Sequence, residues 1–387
     1  MYKVILKKNE EKRILGGSSI VYANEVLRIE NKDSNGSLAE VYSIDDKFLG
    51  KGYINHLSKV LVRIFLNKDE DDSIELFKER IQKANDFRVS LGYSSSYRMV
   101  FSEADNIPGL IVDKYENILV IEISSLGLDL RKEMIVKALV ELFNPEGIYE
   151  RCEENLRTKE GLKSIESTLY GNVPDTVIIT ENGIKMSVHV KTSQKTGYFL
   201  DQKENRLAVR RYAKDKRVLD CFSNSGGFSM NCALVAKEVT AVDISETAIN
   251  NVIENAELNG FKNVKTITGD VFKVLREMKK NNEKFDLIIL DPPAFTKSVS
   301  EVKDALRGYK DINILAMKLI NKGGYLVSSS CSHYVTMPLF SNMLVEASKE
   351  AHVNARCIEI KSQAPDHPSL LSSGETQYLK FYVLEIN

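Results

Sequence analysis

The sequence predicts an α/β protein with a mostly parallel, seven-stranded sheet in its second half. A β-rich domain and a small α+β domain precede it. Three observations carry that expectation. From about residue 178, short apolar runs alternate with amphipathic stretches, the rhythm of strand–helix–strand units. Before residue 72 the runs are all short and β-like, with turn residues between them. Residues 73–177 mix the two periodicities. The expected domains are therefore 1–72, 73–177 and 178–387.

In the first domain YKVIL, SIVYA, EVLRI, AEVYSI, FLGKGYI and VLVRIFL read as strands. Turn signals stand at Gly16-Gly17, Asn35-Gly36 and Asp45-Asp46, and a small barrel or sandwich is the expected form. The acidic run from Lys68 to Asp72 reads as a solvated connection. IELFKERIQKANDFRVSLGY then repeats apolar residues at helical spacing, at Ile74, Phe77, Ile81, Ala84 and Phe87. GLIVDKYENILVIEI reads as two strands around a turn at Glu116-Asn117. DLRKEMIVKALVELF is a second helix, stopped ahead of Pro145. The third domain offers the strands RVLDCF, VTAVDI, VKTITGD, FDLIILD, GYLVSSS, ARCIEIK and YLKFYVLEI. Helical stretches fit between the first six, as in ETAINNVIENAELNG and DINILAMKLINK. No helix separates the last two strands, so they form a hairpin and the final strand runs antiparallel.

Composition excludes several classes. The 387 residues are 43% hydrophobic and 28% charged, as in an ordinary globular protein. A net charge of −1 gives no global field for nucleic acid, so an RNA-binding surface would be a local patch. Five scattered cysteines do not form a disulfide framework. No run of 18 apolar residues is present to cross a membrane. MYKVILKKNEEKRIL has too short an apolar core for a signal peptide. The expected location is cytoplasmic.

In such sheets ligands bind outside the carboxyl ends of the strands. The first strand of the third domain ends in Asp220-Cys221-Phe222-Ser223-Asn224-Ser225-Gly226-Gly227-Phe228. Paired glycines there let backbone approach a ligand. The second strand ends in Asp243, 23 positions after Asp220, the spacing at which an acidic residue grips ribose hydroxyls. The third ends in Gly269-Asp270, placed to reach an adenine edge. The fourth ends in Asp291-Pro292-Pro293-Ala294-Phe295. The G-x-G-x-x-G fingerprint of a dinucleotide site is absent. Acidic residues after all four strands suit a cofactor without phosphates and with a positive centre, as in S-adenosylmethionine. Each aspartate alone would serve equally as a helix cap or loop residue. No metal is expected.

Asp291-Pro292-Pro293 is the most specific element. Two prolines fix φ, remove backbone donors and make a stiff lip. A planar base could lie on it, with Asp291 bonding an exocyclic amino group and Phe295 stacking on the base. The bland alternative is a rigid turn. Cys331, in LVSSSCSHY, follows the fifth strand, next to Asp291 on the fourth. A thiolate adding to carbon 6 of a pyrimidine activates carbon 5 toward a methyl sulfonium. Cys152, Cys221, Cys232 and Cys357 read as structural, and His333 as a proton relay or an incidental loop residue. Arg206, Arg210 and Lys214 share a helical stripe beside Arg211, which could hold RNA phosphates or simply face solvent.

Several segments together resemble one family. KTGYFLDQKENR (195–206), KRVLDCFSNSGGF (216–228), FDLIILDPPAF (285–295), RGYKDINILAMKLINKGG (307–324), SCS (330–332) and Asp366-His367-Pro368 are similar to the RlmI (YccW) family. Its members are bacterial methyltransferases that make 5-methylcytosine in 23S ribosomal RNA. The resemblance spans nearly the whole chain. It implies a PUA domain, a central α+β domain and a class I Rossmann-like methyltransferase domain. It implies Cys331 as nucleophile and Asp291 as the group that orients the cytosine. Asp220, Phe222, Ser223, Gly226, Gly227, Asp243 and Asp270 would line the S-adenosylmethionine site. Gly197, Tyr198, Asp201 and Gln202 match a segment packed beside that site, and Lys195 would meet RNA or the cofactor carboxylate. The chain departs from the family early: a His-Pro-Trp-like turn is replaced by Leu15 to Tyr22, and there is no tryptophan.

The expected partners are 23S ribosomal RNA or a large-subunit precursor, with a homodimer left open and no membrane. Guanine N-methylation is the near rival, and those relatives carry asparagine where Cys331 stands. A ribosome-assembly factor that has lost catalysis is a third reading. A nicotinamide oxidoreductase is disfavoured by the missing glycine fingerprint.

Overall fold

Alternation of period two becomes strand from the first residues. In the computed structural model β1 (Tyr2–Leu6), α1 (Glu11–Leu15), β2 (Ile20–Tyr22), β3 (Val26–Glu30), β4 (Leu38–Tyr42), β5 (Phe48–Ile54) and β6 (Val60–Leu66) follow in order. All residues are described except Glu153, residues 193–195, Lys297, Ser373 and the Glu375 side chain. Strand β4 shows the pattern best, with Ala39 and Val41 buried between partly exposed neighbours. Of the two expected forms the sandwich, with its two facing sheets, is corrected: the strands form one six-stranded sheet, ordered β2-β6-β5-β4-β1-β3. The parallel pair β1/β4 joins the antiparallel pair β1/β3 to the β4-β5-β6 meander.

The next stretch is α2 (Ile74–Ser90), β7 (Ser96–Phe101), β8 (Leu110–Tyr115), β9 (Ile118–Ile123), α3 (Leu126–Asp129), α4 (Lys132–Phe143), β10 (Gly147–Arg151), α5 (Glu154–Lys159) and β11 (Glu166–Gly171). Ser73 caps α2 by accepting the Leu76 N–H. Phe77, Ile81 and Ala84 lie on its buried stripe, but Phe87 is exposed. The place on that stripe goes to Arg88, fully buried and paired with Asp105 at 2.6 and 2.8 Å. Strands β7 to β11 make a five-stranded sheet ordered β11-β10-β9-β8-β7. The segment Asp366-His367 is buried: Asp366 accepts the Arg98 N–H at 2.9 Å, and its other oxygen meets His367 Nδ1 at 2.7 Å. β12 (Val177–Glu181) and β13 (Ile184–Val188) form a two-stranded sheet. Residues 1–179, 188–200 and 365–376 form one unit, and residues 180–187, 201–364 and 377–387 the other.

The second unit carries α6 (Lys203–Ala213), β14 (Arg217–Cys221), α7 (Gly227–Ala233), β15 (Glu238–Asp243), α8 (Glu246–Leu258), β16 (Val264–Thr268), α9 (Val271–Lys280), β17 (Phe285–Leu290), α10 (Val302–Leu319), β18 (Ile320–Ser330), α11 (Met337–Ala351), β19 (Ala355–Lys361) and β20 (Lys380–Ile386). Its sheet is ordered β16-β15-β14-β17-β18-β20-β19. Strands β14 to β18 pair in parallel, and β20 is antiparallel to both β18 and β19, as the sequence predicts. Both faces of the central strands are covered, which is why they read as continuous apolar runs. Leu219, Ile288 and Leu290 face a core built with α9, α10 and α11. Val218, Leu287 and Ile289 face one built with α6 and α7. The strand order reverses between β14 and β17, which opens a crevice at their carboxyl ends.

Candidate active site

Asp220 sits at that crevice. It is the fourth residue of β14, paired with Ala241 on β15 and Ile289 on β17. Its side chain is buried, and Oδ2 accepts the Ser229 hydroxyl at 2.6 Å. Oδ1 is enclosed and has no hydrogen-bond partner. Burial raises its pKa to about 7; the Ser229 hydroxyl opposes the shift, and the Asp291 charge adds to it. The chain then turns through three left-handed residues, Phe222, Asn224 and Gly226. At Gly226, φ is +84°, and a Cβ would meet Val252 at 3.2 Å, so glycine is required there. Ser223 Oγ is a second enclosed atom without a partner. Two orphaned oxygens aimed at neither protein donor nor solvent fit a ligand that brings its own donors or positive charge. Gly227 opens α7 behind them.

Asp243 ties two turns together. Its oxygens accept the Asn224 N–H at 3.0 Å and the Ser245 N–H at 2.9 Å, which leaves further lone pairs for ribose hydroxyls. Asp270 caps α9 by accepting the Lys273 N–H at 2.9 Å, the helix-cap role that the sequence also allows.

Asp291 follows β17. Its Oδ1 accepts from the Ser329 hydroxyl and from Gln202 Nε2, the latter at 2.9 Å. Gln202 is buried, and its own Oε1 accepts from Asn205 Nδ2 at 2.7 Å. Gln202 therefore braces Asp291 with its amide N–H. Burial raises the Asp291 pKa to about 6, against the donation from Ser329. Pro292 is buried and Pro293 exposed. Phe295 packs on protein: its ring centroid lies 4.5 Å from that of Tyr309 and 6.3 Å from that of Phe272. The ring also borders a cleft of about 380 Å³ shared with Glu301, Asp304, Ala305 and Gly308.

Cys331 is the first residue after β18 and is half-buried, between fully buried Ser330 and Ser332. Leu290 pairs with Ser328 in the parallel register, so Asp291 and Cys331 leave neighbouring strand ends. Ser329 spans them through its bond to Asp291. The Tyr309 hydroxyl, from α10, meets Ser330 Oγ at 3.0 Å and Ser332 Oγ at 2.9 Å. Lys380, on β20, lies opposite Ser330 and donates to the carbonyls of Ser332 at 2.6 Å and Tyr378 at 2.7 Å. Ser229, Ser329 and Lys380 were not singled out by sequence. The one available signal was a lysine opening the mostly apolar KFYVLEI.

Other expected residues lie differently. Arg206 is corrected: it is buried and forms a bidentate bridge with Glu181 at 2.6 Å, so it offers nothing to phosphate. Arg210 is half-buried and committed to Asn231 at 3.1 Å and the Asn182 carbonyl at 2.6 Å. Arg211 and Lys214 are exposed, and Arg211 pairs with Glu359 at 3.2 Å. Tyr198 belongs to the first unit, where it is buried and donates its N–H to the Tyr115 hydroxyl at 3.1 Å. Lys195 lies outside the described residues. His333 is exposed, edge-on to Tyr334. Cys152, Cys221 and Cys232 are buried, whereas Cys357 is exposed on β19. No helix among the described residues is long and apolar enough to cross a membrane.

Comparison with known proteins agrees with this geometry. Residues 156–381 match the S-adenosylmethionine-dependent methyltransferase model, and residues 4–67 match a PUA-like domain. The chain is 38% identical to ribosomal RNA large subunit methyltransferase I of Aeromonas salmonicida, covering 98% of each. Against the protein of that name from Klebsiella pneumoniae strain 342 it is 36% identical, over 99% of this chain and 98% of the relative. Among solved structures, a Streptococcus mutans chain assigned to the SAM-dependent methyltransferases superposes with a TM-score of 0.85 at 22% identity, covering 100% of both. A methyltransferase chain complexed with SAH gives 0.86, also at 22% identity and 100% coverage of both.

Proposed function

The chain belongs to the ribosomal RNA large subunit methyltransferase I family of S-adenosylmethionine-dependent enzymes, and from that premise we propose that it methylates carbon 5 of a cytosine in 23S ribosomal RNA through a Cys331 adduct. The observation that supports this most is the bond from Ser329 to Asp291, which links the base-orienting carboxylate to the strand end that carries the thiol.

The cofactor supplies an electrophilic methyl group on a sulfonium. Asp220, Ser223, Asp243 and Asp270 form the proposed cradle, with the two orphaned oxygens supporting it. Phe222, Gly226, Gly227 and Gln202 complete the proposed wall. Asp291, ionised above its pKa of about 6, accepts the exocyclic N–H of cytosine. Pro292 and Pro293 keep that edge free of competing N–H donors. The Cys331 thiolate bonds to carbon 6, and the C5–C6 π pair moves to carbon 5. Carbon 5 then takes the methyl group. A base removes the carbon 5 proton, the pair re-forms C5=C6, and the thiolate leaves.

Three domains, 1–72, 73–177 and 178–387, are the proposed division of labour. The PUA-like segment then holds RNA, and the last domain carries the chemistry. Such an enzyme works where ribosomal RNA is made, in the cytoplasm.

The test is the product. Large-subunit RNA treated with the wild-type chain should yield 5-methylcytidine by nucleoside mass spectrometry. Cys331→Ala should yield none while binding S-adenosylmethionine within a few-fold of wild type. A methylguanosine product, or full activity in the alanine variant, would overturn the reading.

A further inference from the structure

Lys380 poses an electrostatic problem. It opens β20, which lies inside the sheet between β18 and β19. Its side chain is buried, and it makes no ion pair among the described residues. Burying an ammonium without a counter-charge costs several kcal/mol. Two carbonyls, of Ser332 and Tyr378, take two of its three N–H donors. They offset part of that cost but bring no negative charge. The position is also improbable for packing alone, because the rest of KFYVLEI supplies Phe381, Val383 and Leu384 to the core.

What surrounds it is informative. Ser332 is the residue after Cys331, and Lys380 pairs across the ladder with Ser330, the residue before it. The ammonium therefore grips the peptide that carries the thiol from one side. The groups around Cys331 come from four elements. Tyr309, from α10, is bound to Ser330 and Ser332, and burial pushes its own ionisation up. Asp291, after β17, is reached through Ser329 and is anionic when ionised. His333, two residues along the same loop, is exposed. Tyr378 gives its hydroxyl to Asp201 at 2.6 Å. Lys380 is the buried cation in this set, and the charges of Lys380 and Cys331 stabilise one another, while burial draws the lysine down to about 8.

We propose that Lys380 is a positioning residue whose ammonium holds the Cys331 thiol as the attacking thiolate. This rests on Cys331 being the nucleophile. The proton leaves the thiol for solvent, the sulfur keeps the electron pair, and no further reactant is needed. A lysine suits the task better than an arginine. Its charge is compact, and its tetrahedral donors satisfy two carbonyls while leaving one N–H over.

The experiment reads the thiol directly. In the full chain, Cys357→Ser removes the exposed competing thiol, and iodoacetamide labelling of Cys331 is followed by peptide mass spectrometry across pH 5–10. With Lys380 present, labelling should reach half its maximal rate well below the ordinary thiol range of about 8.5. Lys380→Met and Lys380→Gln should both move that midpoint up by one pH unit or more and slow labelling at pH 7 about tenfold. Lys380→Arg should restore most of the shift. Gln keeps a donor for one carbonyl, so it covers the case in which Met does not fold. An unchanged midpoint in either neutral variant that melts cooperatively would overturn the proposal. The Cys331→Ala activity assay is separate. If that variant keeps methylating RNA, the nucleophile reading fails, whatever the labelling midpoint shows about the lysine.

Discussion

Gln202 Nε2 lies 2.9 Å from Asp291 Oδ1, although 89 residues separate them in the chain. The amide is held from behind by Asn205, so its donor points at the carboxylate and cannot readily swap ends. A residue that sequence places in the cofactor wall is thus, in the fold, the brace of Asp291, the group proposed to orient the base.

Replacing that donor by an acceptor should be felt in catalysis. Gln202→Glu puts a second carboxylate against Asp291 and raises the Asp291 pKa above about 6. The expected result is a 10–100-fold loss of kcat near pH 7, with the acidic limb of the pH–rate profile moved upward. A profile identical to wild type would remove the brace from the mechanism.

The Asp220 and Asp291 carboxylates also set a pH dependence. Asp220 and Asp291 have folded pKa values raised to about 7 and about 6 from 3.8. The folded chain therefore binds these protons more tightly than the unfolded one. Their contribution to stability is fully present below pH 4 and is lost as pH rises through 6 and 7. A cationic cofactor favours the ionised forms, so binding at pH 6.5 should release protons. Calorimetry in buffers of different ionisation enthalpy should show that release, and it should fade by pH 8.5. Binding that takes up protons at pH 6.5 would contradict the cradle.

Arg206 makes a prediction about stability. Its guanidinium and Glu181 are both buried and bonded twice. Arg206→Ala leaves a buried carboxylate without its partner and should cost about 3–5 kcal/mol in denaturant unfolding. Arg206→Met combined with Glu181→Leu should recover much of that loss. A phosphate-binding arginine would behave otherwise, leaving stability unchanged and flattening the salt dependence of RNA binding.

These cases show what a sequence can carry. The parallel strands were legible because burial on both faces writes itself as near-continuous apolar runs such as the LIIL of β17. The places of Asp220, Asp243, Asp270 and Asp291 at or just past the carboxyl ends of β14 to β17 were legible because the strand–helix alternation fixes where each strand stops. Ser329 and Lys380 were not, since their partners come from distant strands and helices and only register brings them together. Arg206 was misread because an i, i+4 basic stripe looks the same whether it meets solvent or a carboxylate from a neighbouring hairpin. Phe87 and Cys357 were misread for a related reason: helical spacing gives a stripe and alternation gives two faces, but neither says which residue ends up covered.

The placement of β20 bears on the order in which the proposed site is assembled. The thiol emerges from the ribosome with residue 331, yet the strand that flanks it and delivers Lys380 spans residues 380–386 and inserts between two strands made earlier. A nascent chain can assemble the cofactor crevice from β14 to β18 while its cysteine still lacks the buried ammonium. On the proposed role of Lys380, reactivity is deferred to the last strand of this sheet to be synthesised, which spares the thiol during translation.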